Sequence, residues 1–127
     1  MAGKIVADTL EHSTAGSIAT NYVVEGSAKA WVNFNGTGTL AVRNSLNTSS
    51  VTDNSTGNYS QAYTNSFSAA DYSICATVSD NSGVNAQWTY DSASTSGFTY
   101  YTADDAGSGY TWTDYASNSA TINGDLA

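Results

Sequence analysis

The chain has 127 residues, enough for one compact domain and too few for two. Eleven acidic residues stand against Lys4, Lys29 and Arg43, a net charge of -8, so no cationic face exists to displace counterions from phosphates, which excludes nucleic-acid binding and disfavours an anionic membrane surface. Charged residues make up only 11%, well under the globular norm of about 25%; Ser, Thr, Asn and Gly carry the polarity, while nine Tyr, three Trp and three Phe separate the chain from aromatic-poor disordered sequences.

In chain order, residues 4–8 read as a short strand, 9–16 as a polar irregular stretch and 17–24 as a weakly alternating segment ending at Glu25-Gly26. Residues 1–27 together look less core-like than the rest and are taken as an extended N-terminal arm. The clearest pattern follows in residues 28–47, AKAWVNFNGTGTLAVRNSLN. Ala30, Val32 and Phe34 alternate with Trp31, Asn33 and Asn35, the period-two signature of a strand with unlike faces. Asn35-Gly36 supplies residues that tolerate positive φ, as a tight hairpin requires. A turn at residues 54–57 leads into a strand alternating Tyr59, Gln61 and Tyr63 with Ser60, Ala62 and Thr64. Residues 72–78 form the next strand, with Tyr72, Ile74 and Ala76 on one face and Ser73, Cys75 and Thr77 on the other. Cys75 reads as a small buried hydrophobe, and a single cysteine excludes an internal disulfide. Residues 79–83 (SDNSG) are a turn, 85–90 a strand with Trp88 and Tyr90 on one face, 92–97 a further turn, and 98–102 a brief aromatic strand. The loop DDAGSG at 104–109 precedes strands at 110–114 and 120–123.

Short strands at intervals of about 8–12 residues, with no window of helical period, predict an all-β fold. The expected architecture is a single-domain antiparallel β-sandwich, jelly-roll-like, over residues 28–127. No N-terminal apolar run of signal-peptide length occurs, which predicts folding in a reducing cytoplasm.

Residues that suggest chemistry are few. His12 beside Glu11 lies in the least organised part of the chain without a partner motif, and Glu11 and Glu25 are the only glutamates. Asp80 and Asp104-Asp105 occupy oxygen-rich turns but lack the ligand spacing of a calcium loop. The turn NGTGT has no following lysine or helix and is no phosphate loop. The reading is therefore of no catalytic, cofactor or metal residue and no enzyme. The aromatics Trp31, Trp88, Trp112, Tyr90, Tyr100, Tyr101 and Tyr110 suit a sugar-stacking surface or packing across strands and between subunits, and in a chain so poor in Leu and Ile packing is the expectation. Because Tyr100 and Tyr101 are adjacent, one faces outward, and the pair is the candidate surface contact.

The segment AWVNFNGTGTLAVRNSLNTSSVTDNSTGNYS, residues 30–60, resembles a segment that recurs in structural proteins of tailed bacteriophages. Residues 31–39, Arg43 and residues 49–59 carry the resemblance; FSAADY at 67–72 and SATINGD at 119–125 extend it more weakly. It implies a virion component, assembled in the host cytoplasm, that is not an enzyme and needs no cofactor. The role expected first is a small capsid cement (decoration) protein, a homotrimer bound to the major capsid protein, whose arm supplies capsid contacts through Lys4, Glu11, His12 and Glu25. The alternative is a tail- or head-fibre or receptor-binding module contacting host glycans. The thin aliphatic core agrees with burial between copies.

Overall fold

The computed structural model describes residues 5–79, 85–105 and 109–127, together with Gly3 and Gly107. It is an antiparallel, all-β sandwich of a four-stranded and a five-stranded sheet. The first sheet runs β4 (Ala41–Leu46), β3 (Ala28–Asn35), β11 (Asn118–Asn123), β7 (Ser73–Val78). The second is built on β9 (Gly97–Asp105). One edge of β9 pairs along its length with β8 (Asn85–Ser94); the other pairs with β6 (Asn58–Tyr63) and then with the short β10 (Tyr110–Trp112). Strand β5 (Thr48–Ser55) flanks β6.

The expected alternation sets the core. Ala30, Val32 and Phe34 of β3 and Ala120 and Ile122 of β11 face Tyr59, Tyr63, Phe98 and Tyr100 from the other sheet, all buried. Aromatic rings replace the missing aliphatic volume. Phe34 lies 5.1 Å from Tyr59 and 6.1 Å from Tyr100, and Phe67 lies 4.8 Å from Tyr63 and 4.7 Å from Tyr72, distances at which edge and offset contacts add to area burial.

The chain passes from the first sheet to the second at Asn47, the one described non-glycine residue with positive φ (51°). Its amide bridges to the strand end opposite: Nδ2 donates to Asn65 O at 3.0 Å and Oδ1 accepts from Asn65 N at 2.7 Å. Asparagine tolerates the left-handed region better than most side chains, and here it also ties the corner down.

Several local expectations are corrected. Residues 9–16 are not irregular: Thr9–His12 (β1) and Gly16–Ala19 (β2) form a hairpin, followed by a short helix, Thr20–Gly26 (α1). No strand covers residues 5–8. The segment 92–94 continues β8 instead of turning, because pairing with Gly97–Thr99 overrides its turn-prone composition. Cys75 is exposed; the face of β7 bearing Ile74 and Ala76 packs on the core, so its neighbour points outward. In the β3–β4 connection Gly38, not Gly36, takes positive φ (66°). Gly36 is needed for space, since a Cβ there would lie 2.3 Å from the Tyr59 hydroxyl. Asp80, Gly83 and the rest of that turn beyond Ser79 lie outside the described residues.

Candidate functional site

Strand β9 decides which of the two adjacent tyrosines faces solvent. Phe98, Tyr100 and Thr102 point into the sandwich, and Tyr100 is only 3% exposed. Burial pushes the Tyr100 phenol up in pKa, with the neighbouring Tyr59 adding to the shift. Tyr100 is therefore a core residue, which corrects its assignment as a surface contact. Tyr101 is the outward member of the pair.

Around Tyr101 the outer face of the second sheet carries a second set of aromatics. Tyr110 and Trp112 are two residues apart on β10, so both share one face; Trp112 pairs with Ala103 and Tyr110 with Asp105. The Tyr101 and Trp112 rings lie 4.9 Å apart at 40°. On the opposite edge of β9, Gln87 pairs with Ala103 and Thr89 with Tyr101, which puts an amide and a hydroxyl on the same face. Ala103 is buried to 3% exposure although its side chain lies on the outer face. It forms the floor, and the rings form the wall, of a cleft of about 450 Å³. Trp112 remains 48% and Tyr110 66% exposed, which is unusual for rings of this size on a sheet face that is otherwise polar.

Among the described residues, neither lysine nor arginine lines this cleft. Lys29 donates to Val24 O and Ser27 O, and Arg43 to Asn33 Oδ1, Phe34 O and Ala116 O. Carboxylates tie down the end of β9 and the segment that follows β10. Asp104 accepts hydrogen bonds from the Thr113 and Tyr115 hydroxyls. Asp114 accepts from Gly57 N at 2.7 Å and from the Tyr59 hydroxyl at 2.6 Å. Asp105 Oδ1 accepts from Gly107 N at 2.9 Å.

The arm residues are placed separately. Glu11 and His12 sit on β1, exposed. His12 Nδ1 accepts from Ala15 N at 3.1 Å, which closes the β1–β2 turn. Glu25, in α1, borders a different cleft with Ser68, Asp71 and Asp125. Lys4 lies outside the described residues. No hydrogen bond links Glu11, His12 and Glu25 among the described residues. Among those residues, no cluster of three or more His, Cys, Asp or Glu side chains is disposed to hold a metal ion.

What distinguishes the arm is apolar exposure. Ile5 is 91%, Val6 81% and Tyr22 66% exposed, with Leu10, Ile18, Val23 and Val24 also open to solvent. Helix α1 contains no buried residue. A hairpin of four-residue strands and a seven-residue helix are both below the length at which such elements hold themselves together in water.

Comparison with protein-family models, with curated proteins and with solved structures found no match to this chain.

Proposed function

We propose that this protein is a non-enzymatic structural component of a tailed-bacteriophage virion, a homotrimeric capsid cement protein that binds the major capsid protein and stabilises the shell. The resemblance of residues 30–60 supports the virion assignment. The observation that carries the cement reading is the arm: marginal secondary structure with an uncovered apolar surface, joined to a body that packs its own core. Such a segment gains order by docking on a larger assembly or on sister copies. A protein that binds the closed shell better than its dissociated parts adds stability by that difference, and several contacts per trimer make weak individual ones sufficient.

A second reading, a fibre or receptor-binding module that contacts host glycans, is favoured by the exposed rings of Tyr101, Tyr110 and Trp112.

Particles assembled without the protein separate the two. Under the cement reading they infect under mild conditions and release DNA on heating at a lower temperature than complete particles. Unchanged heat resistance together with failed adsorption to cells overturns it in favour of the fibre reading. Sedimentation of the purified protein at micromolar concentration is expected to show three subunits.

A further inference from the structure

The cleft on the outer face of the second sheet has the chemistry of a sugar subsite, and we propose that it binds a neutral pyranose unit of an oligosaccharide. The proposal rests on the glycan-contacting reading of these rings and gives that site a ligand class; binding measured on the isolated protein tests it separately from whether the module is mounted on the shell or on a fibre.

Three features argue for this ligand class. First, Trp112 and Tyr101 present rings 4.9 Å apart and tilted by 40°, with the small Ala103 on the strand that carries Tyr101 and directly opposite Trp112. A tilted pair with a recessed floor fits a puckered ring of sugar size better than a flat apolar group. The C–H face of a pyranose carries partial positive charge and is attracted to the negative face of an aromatic ring. Second, Gln87 and Thr89 stand on the same face, beside Tyr101 and across β9 from Tyr110 and Trp112. An amide offers both donor and acceptor, and a hydroxyl does the same, which matches the paired demands of sugar hydroxyls at the edge of a stacked ring. A few placed polar groups beside an apolar wall are the usual composition of a ligand pocket. Third, the charge excludes the main competitors. Among the described cleft residues there is no cation, Asp105 pairs with Tyr110 on the same face, and the whole chain carries -8. Phosphorylated, sulfated or sialylated ligands would meet negative ring faces and carboxylates with nothing to neutralise them.

The test uses the full-length protein and a panel of neutral tri- and tetrasaccharides built on glucose, galactose, mannose and N-acetylglucosamine, with sialylated counterparts, followed by titration calorimetry and ligand-detected NMR. At least one neutral oligosaccharide is expected to bind with a dissociation constant of roughly 1 mM or tighter, and its sialylated counterpart more weakly. W112A is expected to weaken binding at least about tenfold while leaving the circular dichroism spectrum intact, since the ring is half exposed. Trp112→Phe retains a stacking face and is expected to lose less than W112A. Gln87→Ala, a surface change away from the core, is expected to weaken binding without altering stability. Absence of binding by every neutral oligosaccharide up to about 10 mM, or unchanged affinity in W112A, overturns the proposal. So does self-association of the wild type that W112A abolishes, which would make the cleft a contact between copies.

Discussion

Phe34 stands where the two sheets meet, with Tyr59 and Tyr100 packed against its ring. Phe34→Ala is expected to cost about 3–5 kcal/mol, measured as a shift in the denaturant midpoint at unchanged slope. Gly57 is constrained differently. Its φ is 65°, and an added Cβ would lie 2.4 Å from the Thr102 carbonyl oxygen, so Gly57→Ala is expected to destabilise by about 2 kcal/mol or more through the left-handed backbone and that clash together. Phe34 was legible from alternation; Gly57 was legible only as a turn glycine, since the approach of β9 is a long-range fact. The same limit applied to the tyrosine pair. Adjacency in a strand says that one of Tyr100 and Tyr101 faces out, but only the register against β6 and β8 says which. Trp112 and Tyr110 were visible as an i, i+2 pair, yet their meeting with Tyr101 depends on β10 folding back along β9.

The elements differ in how firmly they belong to the body. Strands β3 and β6 each bury every second residue, and that two-fold period was plain in the residue string. The β1–β2 hairpin was not, because no face of it is buried and nothing therefore selects alternation in its composition. Helix α1 was hidden for a related reason: Val23, Val24 and Gly26 are weak helix formers, and no side chain caps its start. Removal of residues 1–26 is accordingly expected to change the stability of the body by less than about 0.5 kcal/mol. Thermal unfolding of the truncated protein followed by near-ultraviolet circular dichroism checks this. Attachment to particles, by contrast, is expected to be lost. A truncated protein that still incorporates normally would move the shell contact from the arm to the sandwich.

For the molecule as a whole, the aromatic core predicts a distinct response to alkali. Burial raises the phenol pKa of Tyr59, Tyr63, Tyr72 and Tyr100 above the ordinary value of 10.0; at Tyr59 the hydrogen bond to Asp114 adds to the shift. The folded state thus keeps protons that the unfolded chain would release. This contribution to stability is complete below pH 10 and falls as the pH rises beyond it. Denaturant midpoints measured across that range are expected to decline, with the phenolate absorbance of the buried set appearing together with loss of tertiary structure. A midpoint that stays constant as phenolate absorbance rises would show these hydroxyls to be open to solvent. The strand order carries a consequence for how the protein is made. Strand β11 lies in the middle of its sheet, between β3 and β7, although Ile122 and its partner Ala30 are far apart in sequence. During synthesis β3 and β7 must therefore wait, each with an unpaired inner edge, until residue 123 has emerged from the ribosome. A nascent chain interrupted before β11 presents two open templates for strand addition by other chains, so release of prematurely terminated copies leads to aggregation and not to a smaller folded domain.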